Sequence, residues 1–490
     1  MLDFRGGAHS QQNMMRYLPG SRRTQHRSTS THGDPSPHRN GRHDRPHPPY
    51  TPYLPPTERD DLEGGEWGPL SIWNQHAPRV YISVVLCFPH DGQPVQSTLS
   101  YLRSKLAGLA RKRPIFAARL RIDPRSGVIQ QSQPPQDEIP LEFSRGDEWE
   151  RYDEMKSKGF SPELFLGDKT RPSVSFDTTQ KPIPACTVHA RFVQGGLFLV
   201  SNLQHAVCDG ETLREFLECF AAETRGDPLR GPSSPIFSNL GHLQTTSSDR
   251  FMDLVAMCPE YTTLPDRTGP TQPRYLDGVT PLQQIDKVGR IFTFTDERIK
   301  ELQRLTCSEP SDNEMSSTYA CLAALAFTHI VRARTETEEF IGSAEETDVA
   351  TLWNSVNWKY RALIDRAKDY LGNATFPTFA TNSAWRCSGP AQTPRLVGVN
   401  SDPRQSNYLA FNTWRHFGAD AEWKIPGVPV TKPDAIRRGL PTWTLNTALI
   451  LPAAASSKSQ ELFVCLSRQE PLFILDMRAT RIYTTAPPSP

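Results

Sequence analysis

Residues 197–220, LFLVSNLQHAVCDGETLREFLECF, constrain the fold more than any other stretch of this 490-residue chain. Residues 197–203 are apolar enough for a strand buried on both faces, as in the centre of a layered sheet. His205 falls where that strand ends. Leu213, Phe216, Leu217 and Phe220 then recur at i, i+3, i+4 and i+7, which makes an apolar helix face. Asp209 stands where the helix N-cap belongs, and Gly210 frees the backbone to turn tightly. The pattern holds a histidine rigidly at the mouth of a sheet.

Similar alternations occur on both sides. Val80–Phe88 reads as a strand, and Leu99, Leu102, Leu106 and Leu109 mark a helix that Pro114 stops. Residues 184–205 read as a hairpin around Gly195 and Gly196. Residues 316–334 read as a helix, 348–362 as a strand, and 442–452 and 461–470 as paired strands. Residues 226–290, rich in Pro, Gly, Ser and Thr, read as a crossover. The expected organisation is therefore α/β, with one layered unit over 63–225, the crossover over 226–290 and a second unit over 291–485. A substrate site is expected between the two units.

Residues 1–62 differ in composition. They are rich in Arg, His, Ser and Pro and lack aliphatic periodicity, so they read as disordered. A net charge of +1 argues against a nucleic-acid-binding protein. No apolar run is long enough to span a membrane, and no secretory signal is seen, so a cytoplasmic location without membrane partners is expected. The nine cysteines are scattered and form no CxxC, which fits free thiols.

His205 is the strongest candidate for chemistry. A neutral imidazole can take a proton from an alcohol or amine as that group attacks a carbonyl, then pass it to the leaving group. Asp209 and Gly210 need only hold the loop. Cys208 reads as a small buried thiol, because two positions within one tight loop seldom give nucleophile–base geometry. His329 reads as a packed histidine, and His90 and His189 show no ligand spacing, so no metal site is expected. Arg437 and Arg438 are candidates for coenzyme phosphates, with exposed surface charge the plainer reading.

His205-Ala206-Val207-Cys208-Asp209-Gly210 resembles the HxxxDG signature of the BAHD-type acyl-CoA-dependent acyltransferases. Tyr370-Leu371-Gly372-Asn373-Ala374 looks like that family's YFGN segment. Residues 355–363, SVNWKYRAL, resemble its R-x-R-L strand, with Lys359 in place of the first basic residue. Residues 67–89, 316–334, 409–415 and 432–438 resemble further stretches of the family in the same order. The likeness runs from about residue 66 to 485 and is closest to the fungal branch that includes trichothecene 3-O-acetyltransferases. The chain departs from the family at its DFGWG motif. There it reads ADAEWKIPGVPVTKPD, with Glu422 or Asp420 in place of the aspartate and Gly427 in place of a glycine. Residues 383–405 read as loop where the family has a helix or two.

The resemblance implies two chloramphenicol-acetyltransferase-like domains with a channel between them. It implies acyl-CoA, with acetyl-CoA the expected donor, as co-substrate rather than bound cofactor, and a small acceptor bearing a hydroxyl or amine. It further implies His205 as general base, Tyr370, Gly372, Asn373 and Trp414 near the channel, and a monomer. Three alternatives stay open, one of them an interaction protein whose function lies in the basic N-terminal tail. A condensation-type enzyme would take its acyl group from a carrier protein, but such enzymes carry two successive histidines and Gln204 holds the first place here. A non-catalytic relative could retain the fold as a binding or regulatory protein.

Overall fold

The computed structural model describes residues 66–75, 77–123, 127–133, 138–165, 182–229, 261–263, 284–306, 316–341, 351–357, 359, 370–380, 397–399, 408–439 and 444–468. The segment 1–62 and most of 226–290 and 383–405 lie outside these residues. The N-terminal half supplies β1 (Glu66–Pro69), α1 (Ile72–Gln75), β2 (Tyr81–Pro89), α2 (Val95–Lys112), β3 (Arg119–Ile122) and β4 (Ile129–Gln133). It continues with β5 (Leu141–Arg145), α3 (Tyr152–Ser157), β6 (Ile183–Pro184), β7 (Cys186–Val193), β8 (Gly196–Gln204) and α4 (Gly210–Arg225). The C-terminal half supplies β9 (Tyr261–Thr263), β10 (Lys287–Thr295), α5 (Asp296–Thr306), α6 (Thr318–Ile341), β11 (Thr351–Asn357) and β12 (Thr375–Ala380). It ends with β13 (Val397–Val399), β14 (Tyr408–Thr413), β15 (Ala435–Arg438), β16 (Thr447–Ile450) and β17 (Ser459–Ser467).

Two sheets carry the architecture, and smaller ones flank them. A five-stranded sheet runs β15-β2-β8-β7-β5, and a six-stranded sheet runs β10-β17-β16-β14-β11-β12. Strand β8 lies between β2 and β7, and all nine of its residues are buried, as the apolar run requires. The apolar stripes of α2 and α4 cover one face of this sheet. Leu99, Leu102, Leu106 and Leu109 meet Leu213, Phe216, Leu217 and Phe220 in one core. Each such side chain contributes about 1.5–3 kcal/mol by leaving water. The same core takes in Leu371, Trp414, Leu449 and Phe463 from the C-terminal half.

The two halves also exchange an edge. Strand β15 pairs antiparallel with β2, from Ala435 opposite Cys87 to Arg438 opposite Val84. This placement corrects the reading of Arg437 as exposed charge. Strand alternation turns Arg437 inward, where it is buried and its guanidinium grips Glu461 of β17 at 2.8 and 3.1 Å. It also donates to the carbonyls of Gly159 (2.7 Å) and Phe160 (3.1 Å). Within 383–405, Val397–Val399 is a strand paired with Tyr261–Thr263, so that stretch is not loop throughout.

Candidate active site

Strand β8 delivers His205 to the edge of the core. A single 3-10 turn, His205–Val207, follows the strand, and the His205 N–H donates to Val80 O at 2.7 Å. The Gln204 side chain accepts from Ala206 N and holds the turn from beneath. Cys208 is extended, and α4 then begins with Asp209 as its N-cap. Four residues are enough to leave the histidine half-buried at the strand end while the aspartate is fully buried at the helix start.

The Asp209 carboxylate is fully used. One oxygen accepts from Thr212 N (3.0 Å), which caps the helix. The other accepts from Ala374 N (3.0 Å) and from the Thr375 hydroxyl (3.1 Å). Asp209 therefore joins the start of α4 to the segment 370–375. Thr212 supports the same joint: its hydroxyl lies 3.0 Å from Gly372 N and 3.1 Å from Gly372 O.

Segment 370–375 in turn reaches His205. Asn373 Oδ1 lies 3.2 Å from His205 Nδ1, and Asn373 Nδ2 donates to the His205 carbonyl at 2.7 Å. Asn74 Oδ1 accepts from both Asn373 N (2.7 Å) and Asn373 Nδ2 (3.0 Å). The Tyr370 hydroxyl donates to Asn373 O at 2.8 Å and lies 3.4 Å from Ser71 Oγ. Gly372 has φ +137, and a Cβ there would come within 3.0 Å of Asn74 Oδ1. Only glycine combines that backbone with so close an approach.

Burial pushes the His205 imidazole below its ordinary value, and the charge of Arg438 pushes the same way. The Asp209 charge and the Asn373 hydrogen bond oppose the shift without cancelling it. The imidazole is therefore biased toward its neutral form. Arg438 is half-buried, with its guanidinium 5.5 Å from the centre of the Trp414 ring, and burial pulls its value down to about 10. Trp414 stacks on Phe417 at 5.8 Å, and Phe417 lies against Gly210, where a Cβ would meet the ring at 2.2 Å. The glycine after Asp209 is thus required by packing against Phe417, not by the turn, because it is the first residue of the helix and carries no positive φ.

His205, Asp209, Gly210, Tyr370, Gly372 and Asn373 form one cluster, and Trp414 adjoins it through Phe417. Asn74, Ser71, Thr212 and Thr375 belong to it too, and no spacing in the sequence marks them. Burial pushes the Cys208 thiol well above its ordinary value, and it donates to Asp209 O, so it holds no thiolate. His189 is buried against Ser144 Oγ at 2.8 Å. Among the described residues no cluster of three or more His, Cys, Asp or Glu could hold a metal ion. Asp420 is spent outside the site, accepting from Ala455 N at 2.9 Å and Lys432 Nζ at 3.3 Å. Trp423 is the core residue of the altered late motif, set edge-on against Phe88 and Phe220.

The family model described as Transferase family matches residues 168–387, a span that includes both His205 and Asn373. Over that span the chain resembles the family. The eremophilane O-acetyltransferase prx11 of Penicillium rubens is 24% identical over 347 residues, which is 63% of this chain and 69% of the relative. The eremophilane O-acetyltransferase ORF8 of Penicillium roqueforti is 23% identical over 343 residues, again 63% and 69% of the two chains. The fold matches that of F. sporotrichioides TRI101 complexed with coenzyme A and T-2, with TM-score 0.61 and 15% identity over 85% of this chain and 99% of the other. It also matches vinorine synthase, with TM-score 0.52 and 16% identity over 86% and 94% of the two chains. The expected two-domain acyltransferase fold is borne out by these matches. Among the described residues no helix is long and apolar enough to cross a membrane.

Proposed function

We propose that this acyltransferase moves the acetyl group of acetyl-CoA to a hydroxyl of a small secondary metabolite, with His205 as general base. The observation that carries the reading is the contact of His205 Nδ1 with Asn373 Oδ1 inside a turn that Asp209 anchors. An amide oxygen only accepts, so Nδ1 carries the hydrogen and Nε2 keeps its lone pair. In the proposed reaction Nε2 takes the acceptor's hydroxyl proton as the oxygen attacks the thioester carbonyl. The carbon–sulfur bond then breaks, and the coenzyme A thiolate takes that proton from the imidazolium. No covalent enzyme intermediate is required. Holding donor and acceptor in line supplies much of the remaining rate gain.

The names of the relatives support an alcohol acceptor over an amine. The two Penicillium proteins are O-acetyltransferases for eremophilanes, and TRI101 binds T-2 and, in the F. graminearum protein, deoxynivalenol. The test is acetyl transfer from labelled acetyl-CoA to a panel of eremophilane and trichothecene alcohols. It compares wild type with His205→Ala and measures coenzyme A affinity by calorimetry. His205→Ala should lose about 10²–10⁴-fold in rate, the range of a positioned base, and keep its coenzyme A affinity. Full activity in His205→Ala would overturn the assignment.

A further inference from the structure

We propose that Asn74 is a positioning residue that sets the tautomer of His205. The inference rests on His205 being the base and adds what keeps that base in the working form. An asparagine amide is nearly symmetric in shape, so its neighbours decide which end points where. The decision here starts from a group with no ambiguity. The Asn373 backbone N–H can only donate, so the Asn74 atom 2.7 Å from it is the oxygen. The same oxygen lies 3.0 Å from the Asn373 side chain, so the Asn373 atom facing it is the NH₂ nitrogen. The other end of Asn373 is then the oxygen, and it is the one 3.2 Å from His205 Nδ1.

The His205 carbonyl takes the second hydrogen of the same NH₂ group, at 2.7 Å, so both amide hydrogens are fixed. Asn74 is itself fully buried, and its N–H lies 3.3 Å from Ser71 Oγ. Gly372 leaves the space that lets Asn74 reach Asn373. The four-residue helix α1 thus acts on a histidine 131 positions later, through an asparagine 299 positions away. Without Asn74 the Asn373 amide loses one of its two anchors and the backbone N–H of Asn373 loses its acceptor. The amide can then present NH₂ to Nδ1, which favours the tautomer with hydrogen on Nε2, and that tautomer cannot accept the proton.

The test uses Asn74→Ala and Asn74→Asp in the full chain, with two readouts. The first is the nitrogen NMR signature of the His205 ring in protein labelled at histidine, identified by its loss in His205→Gln. The second is the pH profile, with kcat and KM for acetyl-CoA measured separately. Asn74→Ala should mix in the Nε2–H tautomer and lower kcat about tenfold, with KM within about twofold of wild type. Asn74→Asp offers an oxygen to the same two donors, so it should restore the Nδ1–H tautomer and most of kcat. Its added negative charge should raise the His205 value and move the acidic limb to higher pH. A wild-type ring spectrum in Asn74→Ala overturns the proposal, and so does a loss of kcat that Asn74→Asp fails to recover. An active His205→Ala would instead sink the general-base reading, so the two failures are distinguishable.

Discussion

Asp209 offers the sharpest test of the division of labour in the site, because its three hydrogen bonds allow the cost of losing it to be worked out. Asp209→Ala removes the N-cap bond to Thr212 N, worth about 0.5–2 kcal/mol. It also leaves Ala374 N, a buried donor, without its acceptor, at about 1–3 kcal/mol. The Thr375 hydroxyl can rotate to another partner and adds less. The expected loss is about 3–4 kcal/mol, large against a total stability of about 5–15 kcal/mol. Asp209→Asn keeps the shape but has one oxygen where two are needed. Its NH₂ must face a backbone N–H, so about 1–3 kcal/mol should go. Urea unfolding followed by tryptophan fluorescence reads both, beside acetyl transfer at a temperature where each variant is folded. The reasoning fails if Asp209→Asn unfolds within about 0.5 kcal/mol of wild type. It also fails if Asp209→Ala is as stable as wild type yet inactive, since the carboxylate would then act on the substrate.

Other perturbations separate the parts further. The acidic limb of kcat/KM should fall below the ordinary histidine value of 6.5, because the depressed imidazole stays neutral to lower pH. Arg438→Gln removes a charge that disfavours the imidazolium, so the limb should move to higher pH; an unmoved limb would show that Arg438 does not act on His205. Arg437→Ala leaves Glu461 and the carbonyls of Gly159, Phe160 and Ile436 without the guanidinium and should cost about 2–3 kcal/mol, discounted because Glu461 is partly wet. The double change Arg437→Met with Glu461→Leu should unfold at higher urea than Arg437→Ala alone; no recovery would refute the buried-pair argument.

Local pattern made much of the five-stranded sheet legible. The run at 197–203, the leucines of α2 and the apolar face of α4 each bury as their period requires, because a strand or helix must turn its apolar side to the core. Asp209 as N-cap followed from residue type and place alone. What was not legible depends on pairing across long separations. Nothing in KPDAIRR shows that its last four residues lie against β2, so Arg437 reads as surface charge until the edge strand is in place. Asn74 carries no signal either. Its role depends on one backbone N–H 299 residues away, and no period or spacing encodes such a contact.

The HxxxDG spacing can now be given a physical reading. Histidine and aspartate do not touch through their side chains in any hydrogen bond of the cluster; they are held at opposite ends of one turn. The turn must be long enough to leave the histidine at the end of a buried strand and short enough to put the aspartate at the first residue of a helix. A capping aspartate needs only one oxygen for its helix, so the second is free to bind the segment that follows Asn373. That segment then returns to the histidine through the Asn373 amide. The loop closes: strand to turn, turn to cap, cap to the distant segment, segment to imidazole. A change anywhere in it should therefore appear both as lost stability and as a disturbed imidazole. Arg437, which joins the two halves outside this loop, should when changed lower stability while leaving the pH profile where it was.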